Sequence, residues 1–305
     1  MNVGFECQSH HRGEVVMHVD SVYQIHRHGE LWMNDECDSH KPRQPPQLRD
    51  ASMGVGCAGW SLPRSQWPAF PEAGSHLARY ASRLVVVEIN SSFYRPHRRE
   101  TYARWAASTP EDFRFAVKMP QRITHEKRLH GATPELEAFL AQVEGLGEKL
   151  GCLLAQLPPS LSFEPRTAAR FLGALRRRYF GRLALEPRHA SWFVHEAEGL
   201  LAGFETARVL ADPVLHANAA APGGWRGLVY LRLHGSPRRY WSAYPDALLA
   251  RLAPRLLQAR AEGAECWCIF DNTAAGEAVG NALTLAAMTG IASESRTDWE
   301  SRSSA

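Results

Sequence analysis

LVYLRLH, residues 228–234, decides the fold class. Val229, Leu231 and Leu233 alternate with Tyr230, Arg232 and His234, the two-residue period of a strand with one apolar and one polar face. The same alternation closes other short apolar runs. Glu88 and Asn90 oppose Val87 and Ile89 in LVVVEIN (84–90), and Lys118 opposes Val117 in FRFAVK (113–118). Gln156 opposes Leu153 and Leu157 in CLLAQL (152–157), and Glu186 with Arg188 opposes Leu183 and Leu185 at RLALEP (182–187). Asp212 opposes Val209 and Ala211 in ARVLAD (207–212), and Asp271 opposes Cys268 and Phe270 in CWCIFD (266–271). With MGVGCAG (53–59) these make eight candidate strands.

Helical patterns separate them, over 75–82, 98–107, 134–149, 165–179, 191–203, 243–262 and 274–289; the sixth crossover, 213–226, reads as loop with little helix. Strands alternating with helices predict a parallel sheet. Eight such units in the 238 residues from 53 to 290 match the size of one (β/α)8 TIM-type barrel. If the apolar faces pack on the helices, the polar faces enter the barrel at its C-terminal mouth, where active sites of this fold sit.

The flanks differ in kind. Residues 1–52 hold six of the fourteen histidines, end in KPRQPPQ and carry a net −3, so they predict a disordered extension or a start codon assigned too early; 291–305 reads as a loose polar tail. The barrel segment carries +7. No apolar run is long enough to span a membrane and the N-terminus lacks a signal-peptide core, so a cytoplasmic location with no membrane partner is expected. The six cysteines (Cys7, Cys37, Cys57, Cys152, Cys266 and Cys268) are scattered, the last four in strand-like apolar runs, and they read as buried thiols rather than a disulfide framework.

Eight motifs carry a family resemblance: GCAGW (56–60), VEINSSFYR (87–95), TPEDFRFAVK (109–118), ITH (123–125), QLPP (156–159), EPRHASW (186–192), YLRLHG (230–235) and FDNT (270–273). In order and spacing they resemble the YecE-like family, a domain of unknown function with a TIM-type barrel. Pro187, Ser92 and Asp271 depart from its usual pattern. The resemblance implies a fold and a site location, and no reaction.

The polar ring suggests chemistry by its composition. Glu88, Glu186, His125, His234 and Asp271 are the candidate acid–base groups; Asn90, Tyr94, Lys118, Gln156, Arg188, Trp192, Arg232 and Tyr240 are the candidate substrate-binding groups. The favoured reading is an enzyme doing acid–base chemistry on an anionic small molecule, such as a phosphorylated one, held by Lys118, Arg188 and Arg232. Hydrolase, lyase and isomerase remain open. One alternative is a divalent-metal hydrolase of phosphodiester or nuclease type, with His125, His234, Glu88, Glu186 and Asp271 as ligands. Against it stand the three inward cations and the absence of tight His spacing. A second alternative is a non-catalytic module binding nucleic acid or a partner through Trp60, Tyr94, Trp192, Tyr240, Trp241 and Tyr244. No nucleotide or dinucleotide fingerprint occurs and no cofactor is expected. A glycosidase with its carboxylates on strands four and seven is not encoded, since those strands end in Gln156 and His234.

Overall fold

In the computed structural model, residues 52–291 are described. The extension and tail expected from the sequence lie outside them, except for one residue at each end. The Ser52 carbonyl accepts the Cys266 N–H at 2.9 Å, and the Ile291 N–H donates to the Ala286 carbonyl at 3.0 Å while its side chain packs on the core.

All eight expected strands form: β1 (Met53–Ala58), β2 (Val86–Ile89), β3 (Arg114–Lys118), β4 (Leu150–Gln156), β5 (Arg182–Glu186), a broken sixth made of β6 (Thr206–Arg208) and β7 (Leu210–Asp212), then β9 (Leu228–Leu233) and β10 (Glu265–Phe270). A two-residue β8 (Gly223–Gly224) was not expected. The helices are α1 (His76–Ala81), α2 (Ser91–Tyr94), α3 (Arg99–Ala107), α4 (Thr133–Val143), α5 (Pro165–Arg176), α6 (His195–Gly203), α7 (Asp246–Ala261) and α8 (Glu277–Met288). None is long and apolar enough to cross a membrane among the described residues. The sixth crossover holds only a three-residue turn of helix, as its sequence implies.

The strands run β7-β9-β10-β1-β2-β3-β4-β5-β6-β8. Closure falls on the broken strand. Its first half pairs in parallel with β5 (Leu183↔Thr206 to Leu185↔Arg208), and its second half pairs in parallel with β9 (Leu210↔Leu231 to Asp212↔Leu233). Around Val209 the chain thus leaves one neighbour for the other: β7 carries the ring on to β9 at the mouth end, while at the opposite end no ladder joins β6 to β9. There β8 pairs antiparallel with β6.

Strand parity sorts the apolar residues into two layers. Val87, Ile89, Leu153, Leu183, Leu185, Leu231, Leu233, Cys268 and Phe270 belong to the shell between barrel and helices. Val86, Ala116, Leu154, Ala184, Val209, Tyr230, Trp267 and Ile269 fill the barrel itself. Tyr230 and Trp267 stack with centroids 6.0 Å apart, and the Trp267 indole N–H donates to Glu265 at 2.7 Å, which seals the N-terminal end. The four cysteines of the strands are free and buried, and burial pushes the Cys57 and Cys266 thiols up to about 12 and about 11.

Tyr80 of α1 wedges between β1 and β2. Its hydroxyl accepts the Cys57 N–H at 2.8 Å and donates to the Val86 carbonyl at 2.9 Å. Gly56 makes this approach possible, because a Cβ there would lie 2.0 Å from the Val86 carbonyl oxygen and 2.9 Å from the Tyr80 hydroxyl.

Asp212 is a correction. Paired with Leu233 on the outer face, it accepts the Tyr244 hydroxyl at 2.6 Å; Val209 takes the inner face instead. The alternation itself is unbroken, with Ala207 and Val209 inside and Arg208, Leu210 and Asp212 outside; small apolar residues fit the barrel interior here, so the two faces are the reverse of those expected.

Candidate active site

Arg232 is the centre of the polar layer and is 1% exposed. Its Nε and one Nη2–H form a fork on Glu88, at 3.0 Å to Oε2 and 2.7 Å to Oε1. Nη1 donates to Glu186 Oε2 at 2.7 Å and Nη2 to Asp271 Oδ2 at 2.9 Å. Four of its five N–H donors are thus spent on three carboxylates. Burial opposes its charge, yet those carboxylates outweigh burial and hold it firmly ionised. The expectation that Arg232 grips an incoming anion is therefore corrected: its fork is already occupied.

Glu88 lies beneath it, fully buried, and its Oε2 also accepts the Tyr230 hydroxyl at 2.8 Å. With both oxygens bonded and no exposed surface, Glu88 is a counter-ion under the site and not a proton-transfer group facing a ligand. Glu186 accepts from Gln156 Nε2 at 3.0 Å, so Gln156 positions that carboxylate. Glu88 and Glu186 share one guanidinium and do not flank a gap as a glycosidase pair would.

Above this floor stands His234. Its Nδ1 is 3.0 Å from Asp271 Oδ2 and its Nε2 is 3.8 Å from Glu186 Oε1, while the exposed Tyr240 meets the ring edge-on at 5.5 Å. Burial pulls its pKa down, but the hydrogen bond to Asp271 and the nearby Glu186 carboxylate overcome this and raise it. The two carboxylates move the other way. Burial would raise both, and the Arg232 charge together with His234 holds both below the usual carboxylate range.

His125 sits across the mouth on a π-helical turn (Arg122–Glu126) that follows β3. Its Nδ1 is 2.9 Å from Thr124 Oγ1 and its ring meets Phe93 edge-on at 4.9 Å. Burial, then the charges of Lys118 and Arg188, lower its pKa. Those three residues are therefore electrostatic neighbours, although the sequence places them on different strands and loops. Lys118 is buried with Nζ 4.2 Å from the Phe93 centroid. Arg188 is half-buried and makes no side-chain ion pair among the described residues. Asn90 caps the turn after β2 with its Oδ1 buried and unpartnered. Tyr94 is 73% exposed.

Two expectations fail on burial. Trp192 is 1% exposed, part of the shell between barrel and helices, and its indole N–H is bound to the Leu161 carbonyl at 2.9 Å; it cannot meet a substrate. Tyr244 is equally enclosed, which removes two of the six aromatics counted as a nucleotide-stacking surface. Among the described residues no group of three or more His, Cys, Asp or Glu is placed to hold a metal ion, because the carboxylates converge on Arg232. A cleft of about 610 Å³ lies at the opposite end of the strands, against β8, Trp225 and the start of β9. Residues the sequence did not single out are Phe93, under Lys118, and Tyr230 and Thr124, which orient Glu88 and His125.

Comparison with known proteins agrees with this architecture. The profile of the family described as "Protein of unknown function DUF72" matches residues 54–303. UPF0759 protein YecE of Escherichia coli K12 is 30% identical over 141 residues, covering 45% of this chain and 50% of that protein. UPF0759 protein YunF of Bacillus subtilis 168 is 29% identical over 147 residues, covering 46% and 51%. The chain thus spans about half the length of these curated relatives. A DUF72 family protein of Enterococcus faecalis V583 superposes with a TM-score of 0.67 at 22% identity, covering 79% of this chain and 97% of that one. One of Thermotoga maritima MSB8 gives 0.64 at 26%, covering 78% and 99%. The barrel, its motifs and these matches agree: the chain belongs to the DUF72 family of proteins of unknown function.

Proposed function

We propose that this barrel is an enzyme performing acid–base chemistry on an anionic small molecule at its C-terminal mouth. The observation that carries the reading is the placement of two histidines at one mouth in opposite environments, one between carboxylates and one near cations. His234, bracketed by Asp271 and Glu186, is raised and serves as an imidazolium acid; His125, beside Lys118 and Arg188, is lowered and serves as a neutral base. Environments that push like groups apart in pKa are how one site assigns acid and base roles near neutral pH.

The anion is received by Arg188, whose fork is not taken by a carboxylate, with the positive field of Lys118 beside it. Arg232 contributes from below by keeping Glu186 and Asp271 ionised, so that they in turn keep His234 protonated.

Thermal unfolding in inorganic phosphate tests this. A ligand bound only by the folded chain at about 100 times its Kd adds ~2.7 kcal/mol of stability. The wild type should gain several degrees in Tm, and Arg188→Ala should lose that gain while keeping its own phosphate-free Tm. Equal gains in both proteins would mean a general salt effect and would remove the anion site.

A further inference from the structure

Lysine is scarce here: four occur against thirty-one arginines. Where a permanent charge suffices, this chain uses arginine. Lysine differs in carrying an amine that can become neutral and nucleophilic. Lys127 Nζ donates to the Gly131 carbonyl at 3.2 Å and pairs with Glu135 at 3.2 Å. Lys149 Nζ is held at 2.6 Å by each of the Ala106 and Thr109 carbonyls. Lys118 alone of the described lysines donates no hydrogen bond and has no ion pair, though it is buried at the mouth.

Its backbone is pinned. Ser92 Oγ donates to the Lys118 carbonyl at 2.7 Å and to the Ile89 carbonyl at 3.0 Å, which locks the end of β3 to the turn carrying Phe93. The charged groups acting on the amine are Arg232, Glu88, Glu186 and Asp271 from the floor. Burial first and Arg232 second lower its basicity, and the three carboxylates offset this only in part.

We infer that Lys118 is a nucleophilic amine that forms an imine with an aldehyde or ketone bearing an anionic group. The substrate class rests on the anion-accepting reading of the mouth. The neutral Nζ bonds to the carbonyl carbon, and the C=O π pair moves to oxygen, which takes a proton from the His234 imidazolium or solvent. The nitrogen sheds a proton; the hydroxyl then takes a second proton and leaves as water while the nitrogen lone pair forms C=N. In sum, amine, carbonyl compound and one proton give an iminium and water, with no oxidant or reductant. The iminium draws electrons from the adjacent carbon, where the His125 base can remove a proton.

The test is reductive trapping on the full chain with glycolaldehyde phosphate and sodium cyanoborohydride, whose hydride converts the imine to a stable secondary amine. Peptide mass mapping should find the mass of the aldehyde less one oxygen on Lys118, about tenfold above Lys127 and Lys149, as a positioned and activated amine requires. Excess inorganic phosphate should suppress it, and Lys118→Met should remove it; the wild-type map stands even if that variant does not fold. Labelling of Lys127 and Lys149 equal to Lys118 would overturn the inference. If unphosphorylated glycolaldehyde labels Lys118 as strongly as its phosphate, the imine stands and the anion reading falls. If neither aldehyde labels Lys118 while phosphate stabilisation still depends on Arg188, the imine falls and the anion reading stands.

Discussion

Replacing Arg232 with methionine keeps most of the side-chain volume and deletes the one cation shared by the buried Glu88 and Glu186 and the largely covered Asp271. Four charge-assisted hydrogen bonds of 2.7 to 3.0 Å disappear, and Glu88, Glu186 and Asp271 are left facing one another. Removing one partner of a buried ion pair costs ~3–5 kcal/mol, most of it the burden of the charge left behind. With three carboxylates stranded, a loss of about 4 kcal/mol or more is expected, a large share of the ~5–15 kcal/mol that holds a domain folded. Urea unfolding followed by far-ultraviolet circular dichroism at neutral and mildly acidic pH measures it. The variant should also reverse the sign of the pH response. In the wild type Glu186 and Asp271 have lowered pKa values, so their contribution is full above the ordinary carboxylate values and is lost as pH falls through the lowered ones. Without Arg232, burial dominates and raises them, so acidification should stabilise the variant. Adding Glu88→Gln should recover part of the loss, since the amide still accepts the Tyr230 hydroxyl. A loss below about 1 kcal/mol, typical of an exposed pair, with an unchanged pH response would refute the buried arrangement.

Further outcomes are expected at Gly56 and at the two histidines. Gly56→Ala places a Cβ 2.0 Å from the Val86 carbonyl oxygen, where backbone cannot yield cheaply; about 2–3 kcal/mol of overpacking cost should appear as a lower Tm, and an unchanged Tm would mean that Tyr80 does not wedge between the strands. The pH profile of kcat/KM should be a bell whose rising limb, set by His125, falls below 6.5 and whose falling limb, set by His234, lies above 6.5; by the same raised pKa, the stability His234 lends is full below 6.5 and fades as pH climbs through its folded value. His234→Asn should erase the alkaline limb, and an unchanged limb would reassign the acid.

The fold was readable because alternation along a strand is local. LVYLRLH states its inner and outer faces without help from the rest of the chain, and the structure keeps that assignment at Arg232 and His234. At Asp212 the alternation held but its faces were reversed: Ala207 and Val209 fill the barrel while Arg208 reaches Glu198 and Asp212 reaches Tyr244 outside it, and apolar residues suit either face, so alternation alone does not say which side is inner. At the site, residue type and position were legible and partnership was not. Arg232 looked like an anion receptor because nothing in one sequence says that Glu88, 144 positions away, fills its fork. Trp192 fails similarly, since a loop aromatic beside a strand end can turn toward the mouth or toward the helices, and the Leu161 carbonyl that captures its indole lies 31 positions back. Lys118 escaped notice as more than a cation because its distinction is an amine with no hydrogen bond or ion pair, and pairing is a property of the folded chain.

The break in strand six has a consequence for solubility. Where β6 parts from β9, the barrel has a sheet edge, and an unpaired edge is a template on which another chain can add a strand. The crossover that looked featureless in the sequence supplies the cover. Gly223 and Gly224 pair with Arg208 and Ala207, the Trp225 N–H takes the Thr206 carbonyl at 2.9 Å, and Glu198 receives the Gly224 N–H at 2.5 Å. Gly224 sits at φ +67 with a would-be Cβ 2.4 Å from the Thr206 carbonyl, so the cover depends on glycine to come this close. A bulky residue there would lift the strap, bare the edge and favour self-association before it disturbed the distant mouth.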